Sequence, residues 1–183
     1  MIVALAGVAL LGTGSIFASP VAPSPQSSAY LSGRASTLLA EIQEEAAGLG
    51  LQAESLETLA RNHQKYSWQS HAHYLYRVKN HINAVTERVA ELQRISYAVL
   101  PWQQQAITEV TAHAAQVAAS TQAAIVHLRE NQNRLFVSEY RDHLMTIGDR
   151  SEDMKQAVDK FLDYEKAQQK FQQLQNELEL SGN

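Results

Sequence analysis

Prolines and glycines are scarce along most of this chain, and that scarcity constrains the fold more than any other feature. The 183 residues include 8 Gly and 4 Pro, and three of the prolines lie between Pro20 and Pro25. Proline and glycine are the residues that most strongly mark turns and helix ends. Because Pro101 is the only proline after residue 25, the chain favours a few long helices over many short strands.

Apolar residues recur at spacings of three and four along four segments, which is the pattern of amphipathic helices. The predicted helices cover residues 29–64, 70–99, 102–136 and 138–179, so the folded part is predicted at 29–180. Gly48 and Gly50 mark a point where the first helix is expected to bend or break. Pro101 suits the first turn of the third helix, because proline lacks an N–H that would be unpaired there anyway.

The third segment is poor in bulky side chains at its centre. Seven of the fifteen residues from Thr111 to Ile125 are alanine, the strongest helix former, so neighbouring helices can approach it closely. Four long helices with three short connections predict an all-α, up-down-up-down antiparallel four-helix bundle. The Gln-rich end of the fourth helix keeps Phe171, Leu174 and Leu178 on one side, which suits either a solvated helix end or a coiled-coil contact.

The first residues predict export. Residues 1–18 are apolar and carry no charge, which is typical of a signal peptide with Ala18 near the cleavage point or, if retained, of an N-terminal anchor. A Pro/Ser-rich linker is predicted at residues 19–28. The chain has no cysteine, so it can form neither a disulfide nor a lipoprotein anchor. We therefore expect a periplasmic or cell-envelope protein that touches the membrane only through an uncleaved N-terminal segment.

Charge and motifs argue against two broad classes of function. With 15 basic and 19 acidic side chains, the formal net charge is -4, so nucleic acid is not an expected partner. The sequence has no Glu-x-x-His pair for a di-iron bundle, no His-Glu-x-x-His zinc motif and no phosphate-binding loop. We therefore expect a protein without a catalytic site or a resident cofactor, which acts by interaction as a scaffold, an adaptor or a ligand-sensing module.

An up-down bundle brings the joints near residues 65–70 and 136–138 to the same end, which we call the tip. Five of the seven histidines lie close to those joints, together with several aromatic residues. Aromatic side chains are favoured at the centres of protein interfaces. The residues predicted to form an interaction surface there, for a protein partner or for self-association, are Tyr66, Trp68, His127, Phe136, Tyr140 and His143.

The histidines of the tip also allow another interpretation. Imidazoles bind divalent metals, and the candidate ligands are His63, His71 and His73. His71 and His73 are two residues apart, so they would share a site only if the backbone were extended rather than helical. A metal- or haem-binding bundle is therefore the alternative function. The simplest interpretation remains that the tip residues cover the end of the core.

Overall fold

The computed structural model describes residues 25–62 and 65–181 of the chain. Four long helices run through these ranges: α1 (Pro25–Arg61), α2 (Trp68–Ile95), α3 (Pro101–Glu130) and α4 (Ser138–Ser181). A short 3-10 helix (Ser96–Ala98) joins α2 to α3, and the described residues contain no strand. The predicted signal peptide and residues 19–24 of the predicted linker lie outside the described residues, whereas Pro25–Ser28 already belong to α1.

The helices pack as a ring of four neighbours. α1 packs against α2 and α4, and α3 packs against the same two helices, while α1 and α3 lie on opposite sides of the ring and make few direct contacts. Successive helices are joined by short connections, so each runs antiparallel to the next. The predicted all-α four-helix bundle is confirmed.

All four helices differ from their predicted bounds by a few residues at one end or both, and the largest difference is at the end of α3. α3 ends at Glu130 rather than at residue 136, and Asn131-Gln132-Asn133 follow it. The Asn131 N–H still donates to the His127 carbonyl at 2.8 Å, and the Arg134 N–H then closes a turn on the Asn131 carbonyl at 2.8 Å. Asparagine favours such turns because its side chain competes for backbone hydrogen bonds. α2 begins at Trp68, after Ser67 in an extended conformation, rather than at residue 70.

The first helix continues through Gly48 and Gly50, and Gly48 has a packing role. A Cβ atom at Gly48 would lie 2.6 Å from Cε1 of His81, so a larger residue at this position of α1 would displace the His81 ring of α2. The His81 ring is then held by Glu45, with 2.7 Å between Nδ1 and Oε2. Arg88 bonds Glu41 at 2.8 Å on the same seam between α1 and α2. Polar contacts therefore border the packed core along this pair of helices.

The core runs along the inside of the bundle. α3 contributes small side chains to it, including Ala106, Ala114 and Ala124, as its alanine content predicts. The other three helices contribute the largest fully buried apolar side chains, which are Leu38, Leu39, Ile42, Leu49, Leu56, Leu75, Leu92, Leu144, Ile147 and Met154.

Candidate functional site

The tip is built where the start of α2, the 131–137 segment and the start of α4 meet. His71 lies four residues before Leu75 on the buried stripe of α2, and Tyr140 lies four residues before Leu144 on the stripe of α4. Both side chains are therefore carried into the bundle, where His71 Nδ1 and Tyr140 Oη are 3.0 Å apart. The ring of His127, near the end of α3, stacks on Tyr140 with centroids 5.2 Å apart. The structure thus brings His71, His127 and Tyr140 together.

The hydrogen bond between His71 and Tyr140 defines which ring nitrogen carries the proton. A buried phenol must donate its O–H, and His71 Nδ1 is the partner that the described residues provide for Tyr140 Oη. If Nδ1–H donated instead, both the phenolic proton and the Nε2 lone pair would be left unpaired. We infer that Tyr140 donates to Nδ1 and that the His71 proton is on Nε2.

A cleft of about 350 Å³ lies at the tip and has His71 among its lining residues. His71 is fully buried and lines the cleft, and its Nε2 atom has no hydrogen-bond partner among the described residues. None of the described lining residues carries a formal charge at neutral pH. The cleft therefore combines aromatic walls with two side-chain amides and the buried ring of His71, and it is lined by Tyr66, Ser67, Trp68, His71, Gln132, Asn133, Leu135 and Phe136.

Burial keeps the centre of the tip neutral. It lowers the pKa of His71 to about 4, from an ordinary value of 6.5, because the imidazolium ion would lose its hydration. Burial also raises the pKa of the Tyr140 hydroxyl above its ordinary value. At neutral pH His71 is therefore an uncharged hydrogen-bond donor, not a cation.

The predicted interaction residues fall into two groups. Tyr66, Trp68 and Phe136 are exposed to 43%, 38% and 50%. Tyr140 is fully buried, which corrects its predicted place on the surface: it supports His71 from within. His127 is half-buried and donates from Nε2 to the Arg134 carbonyl at 3.4 Å. His143 is also half-buried.

The three histidines predicted as metal ligands have different surroundings. His63 lies outside the described residues, His71 is buried against Tyr140, and His73 is exposed with its ring edge-on to Tyr74. His71 and His73 lie on different sides of α2, because a helix separates residues i and i+2. Within residues 25–62 and 65–181, no group of three His, Cys, Asp or Glu side chains is arranged to hold a metal ion. The metal interpretation stays a prediction.

Sequence reasoning missed the buried position of His71 and Tyr140, although a signal was present. His71, Leu75, Val78 and Ile82 follow the 4-3-4 spacing of one helical stripe, and Tyr140, Leu144 and Ile147 follow a 4-3 spacing. The first residue of each stripe is a ring with a polar atom, His71 or Tyr140, rather than an aliphatic residue. A search for apolar residues alone therefore begins each stripe one turn too late.

No protein family, curated protein or solved structure matches this chain. Among the described helices, none combines the length and the apolar character needed to cross a membrane. A proposal about function therefore depends on the chemistry of the tip.

Proposed function

We propose that this protein is a non-enzymatic interaction module of the periplasm or cell envelope, and that it binds a partner through the cleft at the tip. One observation carries the proposal: His71 Nε2 is buried and unpartnered among the described residues, and its residue lines an open cleft. A buried donor without an acceptor costs about 1–3 kcal/mol. A partner that displaces the side chains covering Nε2 and brings an acceptor to this atom removes the cost of the unpaired donor.

The cleft favours an uncharged group with a carbonyl oxygen. The Nε2–H of His71 requires an acceptor, and the described lining residues supply no opposite charge for an ionic ligand. Trp68 and Phe136 offer aromatic surface that remains exposed, and aromatic rings contribute strongly to interfaces. At about 350 Å³, the cleft lies at the small end of the range of ligand pockets. It suits one side chain or a backbone carbonyl from a partner's loop better than a large cofactor.

Site-specific crosslinking in the native envelope tests the location of this surface. A photoreactive phenylalanine analogue at Trp68 should join the partner, because Trp68 lines the cleft. The control position is Tyr76, which is on the same helix and is 64% exposed. Capture at position 68 alone supports the tip, whereas equal capture at both positions or none at position 68 contradicts it.

The role of His71 is tested with the captured partner and purified protein. His71→Phe keeps an aromatic ring and removes the Nε2 donor, so affinity should fall about fivefold to tenfold, the value of one hydrogen bond. Tyr76→Phe is the matched control and should bind as the unmodified chain does. Helical circular dichroism confirms that each variant is folded. Undiminished binding by a folded His71→Phe variant would rule out this donor as part of the site.

The proposed location rests on residues 1–18, which lie outside the described residues. Export with cleavage after Ala18 predicts a mature chain that begins at Ser19. N-terminal sequencing of protein isolated from its native cells checks this. A chain that keeps Met1 and fractionates with cytoplasmic proteins would contradict an envelope function.

A further inference from the structure

The last helix extends past the end of the bundle that lies opposite the tip. Trp102, the second residue of α3, stacks on Phe161 with centroids 6.4 Å apart and meets Tyr164 edge-on at 5.9 Å. The first turn of α3 therefore lies beside residues 161–164 of α4. α4 continues to Ser181, which is about 25 Å farther at 1.5 Å per residue. Over this length α3 no longer covers it.

An exposed apolar stripe follows this extension. Its residues are spaced by three and four like the a and d positions of a coiled coil, and they are Tyr164, Ala167, Phe171, Leu174 and Leu178. The four large side chains of the stripe are exposed to between 48% and 71%. Exposed apolar side chains in a continuous row mark an interaction surface more often than a solvated one.

The stripe does not continue the core. The core stripe of α4 runs through Met154, Val158 and Phe161, and the same spacing then leads to Glu165, Gln168 and Gln172. These polar residues face α1: Ser36 donates to Glu165 at 2.7 Å, and all three line a cleft with the first turns of α1. Each of the apolar residues Tyr164, Ala167 and Phe171 comes one position before a residue that faces α1. The apolar stripe therefore lies on a neighbouring side of α4, which α1 does not cover.

We propose that this stripe pairs antiparallel with the same stripe of a second copy of the chain. The charges beside the stripe select this direction. When Phe171 packs against Leu174 of the second copy, Lys170 of each copy comes beside Glu177 of the other, which gives two ion pairs by symmetry. In a parallel pair Lys170 would face Gln175 instead. The antiparallel arrangement also places the two bundles at opposite ends of the contact, where they do not collide.

A groove at the base of the extension enlarges the contact. It has a volume of about 760 Å³ and is lined largely by Leu100, Pro101, Trp102, Phe161 and Tyr164. In the proposed register, Leu178 of the second copy packs on Ala167, beside this groove. A two-helix contact of this length is still smaller than the ~1,200 Å² that a standard stable interface buries. The dimer should therefore dissociate on dilution.

Sedimentation of the full chain over a range of concentrations tests the stripe. The unmodified chain should pass from monomer to dimer, and Leu174→Glu should raise the dimer dissociation constant at least about tenfold, because it places a charge in an apolar contact. Asn176→Glu adds the same charge two residues away on the solvent side and should leave the constant unchanged. A chain that is monomeric at every concentration overturns the second copy as the occupant, as does an equal effect of the two variants.

A charge swap tests the antiparallel direction separately. Lys170→Glu places two like-charge pairs across the contact, and should weaken the dimer about threefold to tenfold. Adding Glu177→Lys to this variant restores opposite charges and should return the dissociation constant to that of the unmodified chain. A double variant as weak as Lys170→Glu alone would overturn the antiparallel register.

Discussion

The two ends of the bundle each bury one polar side chain in the first turn of a helix, but they treat it differently. Gln103, near the start of α3, is fully buried, and all its polar groups are hydrogen-bonded. Its Nε2 donates to the Ser32 carbonyl at 2.8 Å and to Ser36 Oγ at 3.1 Å. Its Oε1 accepts from Ser32 Oγ at 2.9 Å and from the Leu100 N–H at 3.0 Å. Gln103 thereby joins α1 to the start of α3.

His71, near the start of α2, is equally buried but has one hydrogen bond, to Tyr140. Most buried polar groups in proteins are satisfied, so a buried donor that lacks a partner calls for an explanation. The burial of Gln103 is explained by its hydrogen bonds, which link α3 to α1. His71 lines a cleft, and this difference is why we propose the tip, rather than the opposite end, as the binding end.

The largest effect expected from this difference is that His71 makes the folded protein less stable at acidic pH. Its pKa is about 4 when folded and 6.5 when unfolded, so between these values only the unfolded chain binds the proton. The free energy of unfolding should therefore fall as the pH drops from 6.5 to 4, by about 3 kcal/mol from this residue. Gln103 does not titrate and contributes nothing to the change.

Urea unfolding at several pH values measures this loss. His71→Phe should flatten the pH dependence between 6.5 and 4, whereas His73→Gln, which changes an exposed histidine two residues away, should leave His71's contribution in place. Identical pH profiles for His71→Phe and the unmodified chain would show that His71 is not held neutral by burial.

A smaller but still large effect is expected from replacing Gln103. Gln103→Leu removes four hydrogen bonds and leaves the groups on Ser32 and Leu100 without their partner, so the free energy of unfolding should fall by about 2–3 kcal/mol. Gln105→Leu is the control, because Gln105 is exposed and its side chain bonds to Glu109 on its own helix. Chemical denaturation at neutral pH compares the two. Equal losses would mean that the Gln103 hydrogen bonds do not stabilise the end of the bundle opposite the tip.

The smallest effect concerns a third buried polar group, in the middle of the bundle. Thr121 Oγ1 is buried and has no partner among the described residues, in the alanine-rich part of α3. Thr121→Val keeps the shape and removes the hydroxyl, so the protein should gain about 1 kcal/mol. Thr111→Val should give no such gain, because Thr111 Oγ1 donates to the Ile107 carbonyl at 2.6 Å. A loss of thermal stability in Thr121→Val would show that the hydroxyl has a partner after all.

The fold was largely predictable from the sequence, and the errors occur where turn chemistry competes with apolar spacing. Leu135 continues the spacing of the third stripe, which is why that helix was predicted to reach residue 136. Leu135 is indeed buried, but it is carried inward by the 131–137 segment, not by α3. The spacing of apolar residues predicts which side chains are buried. It does not show whether a buried residue such as Leu135 belongs to a helix or to the turn that follows it.

The location of the candidate site was predicted from the sequence, but the contacts between its side chains were not. Tyr66, Trp68 and Phe136 were placed at the tip from topology alone, and they are exposed there. Whether a histidine faces a metal, a partner or another side chain was not predictable, because His71 and Tyr140 are 69 residues apart in the chain. The spacing of residues within α2 contains no information about which residue of α4 lies beside His71.

The sequence by itself determined that this chain forms a few long helices, each with one apolar stripe, because helix periodicity and the scarcity of proline and glycine are local properties. The tertiary structure decided what the polar residues on those stripes do. Gln103 is satisfied because α1 brings Ser32 and Ser36 to it, whereas the His71 ring meets Tyr140 at one nitrogen and its other nitrogen has no partner among the described residues. Hydrogen bonding and burial depend on the atoms that distant segments bring together, and only the packed bundle specifies them.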